Sequence, residues 1–282
     1  MSTAPVLVLG AHGNVGRPLV QALLARGLPV RAASRSGLAP AGAQGVVFDY
    51  ERPDTHAAAF DGIERAYVML PAGSVDVAGR LGPVLDALTA RRVKVVFQSV
   101  LGVDADDSIP YRQLELKIER SGLPFVILRP NWFSDNFHTF WKAGIDHGVI
   151  ALPAAQGASS FIDARDIAEA AAAALASSDF DGQAFNLTGP QALSYAQAAD
   201  RIGAVLGRPV RYEAVDDAAF VTMLTGAGVP ADYAGFLASI FHPVREGWTA
   251  VVTPDVQRLT GHPARSLDDY LAAHVAALRT PR

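Results

Sequence analysis

The stretch "VLVLGAHGNVGRPLV", residues 6–20, constrains the fold more than any other part of the chain. An unbroken apolar run, Val6-Leu7-Val8-Leu9, leads into glycines at 10, 13 and 16 and then into the helix-like "RPLVQALLARG". A continuous apolar run suits a strand buried on both faces. Glycine turns the chain sharply and puts no Cβ in the way of an approaching group. A helix starting directly behind it aims backbone N–H groups and partial positive charge at one spot. The stretch therefore reads as strand, turn and helix around a phosphate cradle made by Gly10, His12, Gly13, Asn14, Val15 and Gly16. The plain alternative is a tight strand–helix turn with no ligand. The spacing is G-x-x-G-x-x-G, not the commoner G-x-G-x-x-G.

The alternation continues through the first half. Further strands are expected at "PVRAAS", "GVVFD", "RAYVML", "VKVVFQSV" and "PFVILRP", with helices over 14–26, 54–61, 74–91 and 110–121. In the last helix Leu114 and Ile118 mark the apolar side, while Arg112, Glu115, Glu119 and Arg120 read as solvated. Alternating β and α with short links predicts an α/β fold, a Rossmann-type doubly wound parallel sheet. After residue 130 the pattern changes to an aromatic segment, "NWFSDNFHTFWKAG", then further strands and helices, with Ser194 or a neighbour as a helix cap. The expected organisation is a dinucleotide-binding core over 1–130 and a smaller C-terminal substrate lobe over 131–282. Elements of about 144–190 return to the core, the whole forms one structural unit, and the lobe lies over the sheet's carboxyl edge.

Composition removes several function classes. The chain has 282 residues, half of them hydrophobic, enough for a sizeable core. It has no cysteine, which excludes disulfides, thiolate metal sites and cysteine nucleophiles. A net charge of −4 without a basic block argues against nucleic-acid binding. No 18-residue apolar span and no N-terminal signal pattern is visible, so no membrane contact and a cytoplasmic location are expected. The seven histidines show no paired ligand spacing, so no metal is expected. "FIDARDIA" reads as a helix start carrying an acid in its first turn, or as a charged cluster near substrate. No G-x-S-x-G elbow occurs. The oligomeric state is open, a homodimer being one option.

Cofactor preference is read at the end of the second strand. A carboxylate there would hold a ribose 2′-hydroxyl. This chain has "RAASRSG", with Ser34, Arg35 and Ser36. The planar fork of Arg35 suits a 2′-phosphate, which favours NADP over NAD. Arg31 is a second candidate. Asp49 either contacts the adenine amine or closes the turn before the next helix.

With "GAHGNVG", "SRSG", "VVFQSVLGV", "LELKIERSGLPFVILRPNWFSDNF" and "FIDARDIAEAAAAAL" in this order, the chain resembles the NmrA-like branch of atypical short-chain dehydrogenases/reductases. The family form of the first loop commonly has Thr where His12 stands. The resemblance implies one of two activities. One is NAD(P)H-dependent reduction of quinones, iminium groups, triphenylmethane dyes or similar conjugated acceptors. The other is dinucleotide sensing by a regulator without turnover. It further implies that Leu70, Pro71 and Pro130 line the nicotinamide side. Asn131, Trp132 and Phe133 would cap it, with Phe137 and its aromatic neighbours extending a substrate wall.

The Tyr-x-x-x-Lys pair of ordinary short-chain dehydrogenases is absent. Tyr111 is followed four places on by Glu115, and Lys117 stands six places on, turned round the helix. Alcohol oxidation by that route is therefore not expected. Tyr111 is either a proton donor or an amphipathic helix residue. Ser99, ending the fifth strand, either bonds substrate or nicotinamide or satisfies its own loop.

Overall fold

The computed structural model describes residues 4–279. In chain order the first elements are β1 (Val6–Val8), α1 (Gly16–Ala25), β2 (Val30–Ser34), β3 (Gln44–Val47), α2 (His56–Phe60), β4 (Arg65–Val68), α3 (Val77–Ala90), β5 (Lys94–Gln98), α4 (Pro110–Glu119) and β6 (Phe125–Pro130). Next come α5 (Lys142–Asp146), β7 (Val149–Leu152), β8 (Ala158–Ser159), α6 (Ala164–Ala176), β9 (Gln183–Leu187), β10 (Leu193–Ser194), α7 (Tyr195–Leu206) and β11 (Arg211–Ala214). The chain closes with α8 (Asp217–Gly226), α9 (Ala231–Ser239), α10 (His242–Arg245), α11 (Asp255–Thr260) and α12 (Leu267–Arg279).

Seven strands form one sheet in the order β3-β2-β1-β4-β5-β6-β9, and every pairing in it is parallel. The apolar runs explain this. Val6, Leu7 and Val8 are wholly buried, as are Val96 and Phe97 on β5 and Val126, Ile127 and Leu128 on β6. Strands covered on both faces need no alternation. The order reverses between β1 and β4, and that crevice at the carboxyl ends is where doubly wound sheets take ligands. The expected fold class is the one observed.

The chain divides into two compact units. One comprises Met1–Pro130, Ala164–Leu187 and Asp255–His262, and holds the sheet. The stretch that joins the sheet is thus narrower than 144–190. Arg65 and Lys94 anchor it, donating to the carbonyls of Leu175 (3.0 Å) and Ser177 (2.6 Å). The preceding β7 instead pairs with β11, because its alternating burial leaves only one face for a core.

The other unit comprises Asn131–Asp163, Thr188–Pro254 and Pro263–Arg282. It has its own core, with Phe137, Phe161, Tyr195, Phe241 and Tyr270 prominent. Ser194 caps α7 as expected, in a reciprocal box with Gln197.

Candidate cofactor-binding site

The glycine turn lies at the carboxyl end of β1, next to the point of strand-order reversal. Gly10 has φ +68°, a conformation that L side chains rarely adopt. A Cβ on Gly16 would stand 2.1 Å from the Gly10 carbonyl oxygen, so only glycine lets α1 start this close to β1. The Gly13 N–H closes the turn onto the Gly10 carbonyl at 2.9 Å. No side chain caps α1 and its first turn holds no acid, so the helix's positive end is left for an external anion. His12, Gly13 and Asn14 are exposed, while Val15 and Gly16 are buried as the hinge into α1. These features fit a pyrophosphate.

At the end of β2, Ser34 is half-buried and Arg35 and Ser36 are exposed. Among the described residues Arg35 has no carboxylate or carbonyl partner. It is free for a phosphate. Arg31 is not: its guanidinium donates to the carbonyls of Ala59 (3.2 Å) and Asp61. The second arginine candidate is therefore corrected to an anchor for the end of α2. Strand alternation turns it sideways, as the two-residue period requires. Asp49 accepts the Glu51 N–H at 3.0 Å through Oδ1, and its carbonyl meets His56 Nε2 at 2.9 Å. Closing the turn is the role its contacts show.

Leu70 is buried and Pro71 exposed just beyond β4. Sequence reasoning missed what holds this exit. The Tyr50 hydroxyl donates to the Met69 carbonyl, and the Met69 sulfur would be 2.8 Å from a Cβ on Gly10. The tyrosine directly after Asp49 was the signal. Burial pushes the Tyr50 and Tyr67 phenols well up, and the neighbouring Tyr111 adds to both shifts. Tyr111 is half-buried against the sheet's core, its ring 6.1 Å from that of Phe97.

The expectation that Glu115 is solvated is corrected. Its side chain is fully buried, bound bidentately by Arg129 at 2.9 and 2.7 Å, with Arg112 at 3.0 Å. Arg129 also meets Asp104 at 2.5 Å. Burial alone would raise the Glu115 carboxyl. Hydrogen bonds from Arg129 and Arg112, with the charge of Arg129, overcome this and hold it below the ordinary carboxylate range. Ser99 is buried, and its Oγ has no partner at full hydrogen-bond geometry. At 2% exposure it offers a substrate almost no surface, which favours the structural one of its two readings. An arginine inside the apolar run "FVILRP" was the available signal, since a buried cation needs an anion. Lys117 points elsewhere, to Asp86 at 2.7 Å.

Pro130 is buried, and its carbonyl accepts the Leu101 N–H at 3.1 Å. The amide of Asn131 is spent inside its own unit, donating to Ser160 Oγ and the Thr249 carbonyl at 2.7 Å each. Its Oδ1 accepts the Trp132 N–H at 2.9 Å. The expectation that this amide meets the nicotinamide is corrected accordingly. Trp132 packs on Phe241 and Trp141 at ring distances of 4.7 and 5.8 Å. Phe133 pairs with Ile162 in an isolated bridge. Trp132 and Phe133 are half-buried. Phe137 is corrected from substrate wall to core: it is fully buried between Trp141 and Phe161, each at 5.1 Å.

Asp166 lies in the first turn of α6, the plainer of its two readings. With Glu169 and His262 its ligand atoms fall within 4.8 Å, a grouping that sequence spacing does not reveal. His262 Nε2 already sits 2.5 Å from Glu169 Oε2.

Known proteins agree with this architecture. An oxidoreductase of Bacillus subtilis, YesF, is 34% identical over 98% of this chain and 97% of its own. The NAD(P)H azoreductase of Xenophilus azovorans is 31% identical over 96% of this chain and 98% of its own. The NADPH complex of an Escherichia coli NADPH-dependent quinone oxidoreductase superposes with a TM-score of 0.83 at 23% identity, covering 96% of this chain and 99% of that one. The NmrA-like family model matches residues 2–254. On that match, and on the glycine turn and sheet order it spans, the chain belongs to the NmrA-like family.

Proposed function

We propose that this protein is an NADPH-dependent reductase acting on a small conjugated acceptor such as a quinone, an azo compound or an iminium dye. The observation that carries the reading is the glycine turn beneath an uncapped α1, with Arg35 unpaired where an NAD site would place a carboxylate. The azoreductase relative, similar over nearly the whole chain, supports the reaction class. Bound NADPH supplies hydride from its dihydronicotinamide ring.

The chain's own residues bind and orient. The turn amides and the positive end of α1 hold the pyrophosphate, and Arg35 pairs with the 2′-phosphate. Gly10, buttressed by Met69, fixes the turn against the end of β4. Tyr111 is the proton donor where the product needs one. No strong acid is required for acceptors whose reduction relieves charge or restores aromaticity. Orientation of hydride donor against acceptor supplies the acceleration.

Purified protein mixed with NADPH and a panel of quinones and azo dyes should consume the nicotinamide absorbance with at least one acceptor. Tight NADPH binding without oxidation across the panel would instead identify a dinucleotide-sensing regulator. Absence of binding would falsify both.

A further inference from the structure

We propose that His12 determines dinucleotide selectivity: it pins the loop 35–38 to the glycine turn and so presents Arg35 to a ribose 2′-phosphate. This rests on the reading of the turn as a dinucleotide site. His12 Nε2 lies 2.9 Å from the Leu38 carbonyl oxygen. A carbonyl only accepts, so Nε2 carries the hydrogen and donates. The same oxygen accepts the Ser34 hydroxyl, also at 2.9 Å. One carbonyl thereby ties together the glycine turn, the last residue of β2 and the loop that carries Arg35.

The rest of the loop is built to keep that carbonyl in place. The Gly37 N–H donates to the Ser34 carbonyl at 3.2 Å and the Leu38 N–H to Ser36 Oγ at 3.4 Å. On the far side, the Gly37 carbonyl oxygen stands 2.0 Å from where a Cβ on Gly45 would be, so β3 admits the loop only because it has glycine there. Apolar burial does not anchor the segment, since Leu38 is 69% exposed. Hydrogen bonds hold it instead, and those to the Leu38 carbonyl are the ones that reach the glycine turn. A loop ordered before the ligand arrives loses less entropy on binding, and the gain falls on the ligand that Arg35 can grip. A dinucleotide with a 2′-phosphate benefits; one with a 2′-hydroxyl does not. No motif carries this in the sequence, because His12 and Leu38 are 26 residues apart.

Dissociation constants for NADPH and NADH, from nicotinamide fluorescence titrations, test the claim on the full chain. They are combined with amide exchange of residues 35–38 in the unliganded protein. His12→Ala should weaken NADPH about tenfold and NADH by less than about twofold, and should speed exchange in the loop. His12→Gln, whose side-chain amide can donate to the same carbonyl, should restore both slow exchange and selectivity. In an Arg35→Ala background, His12→Ala should leave the NADPH-to-NADH ratio unchanged, because the histidine acts through the arginine. Equal weakening of both dinucleotides, or an unaltered NADPH constant in His12→Ala, overturns the assignment. If the unaltered chain binds neither dinucleotide, the reading of the site is overturned and the selectivity claim with it. If it binds NADPH and only the variants disagree, the selectivity claim alone falls.

Discussion

Glu115 stands where the ordinary short-chain pair has lysine, and the surrounding charges are rearranged to suit. A carboxylate replaces the cation on α4, and Arg129 on β6 supplies the positive charge from the neighbouring strand. The pair is buried, so removing one partner leaves the other charge without compensation, a loss of about 3–5 kcal/mol in comparable cases. Glu115→Gln should therefore unfold at markedly lower denaturant concentration, with the exposed Asp104 limiting the damage to the lower end of that range. The pH dependence has a definite sign. The folded carboxyl titrates below its unfolded value of about 4.3, so the stabilisation is complete above that pH and is lost as pH falls through the folded value. The stability gap between the unaltered protein and Glu115→Gln should shrink on acidification below about pH 4. A gap that stays constant there would mean that the carboxylate is not the stabilising group.

Among the elements, β1, its turn and α1 act as one device. The strand is buried on all sides, the turn needs a positive φ at Gly10, and the helix needs Gly16 in contact with the Gly10 carbonyl. Gly16→Ala would drive a methyl group into that carbonyl. The expected result is a folded or marginally folded chain whose circular dichroism is close to normal but whose NADPH affinity is lost, since the amides no longer converge. Retained affinity would show that the cradle lies elsewhere. These elements were legible because their determinants are local: apolar runs, glycine spacing and, at α7, Ser194 followed three residues on by Gln197. The misjudged face of α4 was legible only indirectly, through the arginine in the apolar run of β6. Its pattern of Arg, Glu and Lys looks solvated until β6 brings a buried guanidinium against it.

For the whole molecule, two units with separate cores are built from interleaved segments of chain. The segment Ala164–Leu187 leaves and returns, and it is held to the sheet by arginine and lysine donors whose partners lie 110 and 83 residues away in sequence. A ligand that binds only the folded chain stabilises it by mass action. NADPH at a hundred times its dissociation constant should add about 2.7 kcal/mol and raise the melting temperature by several degrees. An unchanged melting temperature at that excess would contradict binding to the folded state.

By itself the sequence determined the parallel sheet, the place of the glycine turn, the absence of a carboxylate after β2 and the missing tyrosine–lysine pair. Each depends on residues within a few positions of one another, where backbone geometry and side-chain period act directly. Only the tertiary structure decided that Arg31 and Asn131 are spent internally, that Phe137 is core, and that His12 reaches Leu38. Those outcomes turn on which distant group fills a donor's or a ring's surroundings, and spacing along the chain carries no record of that.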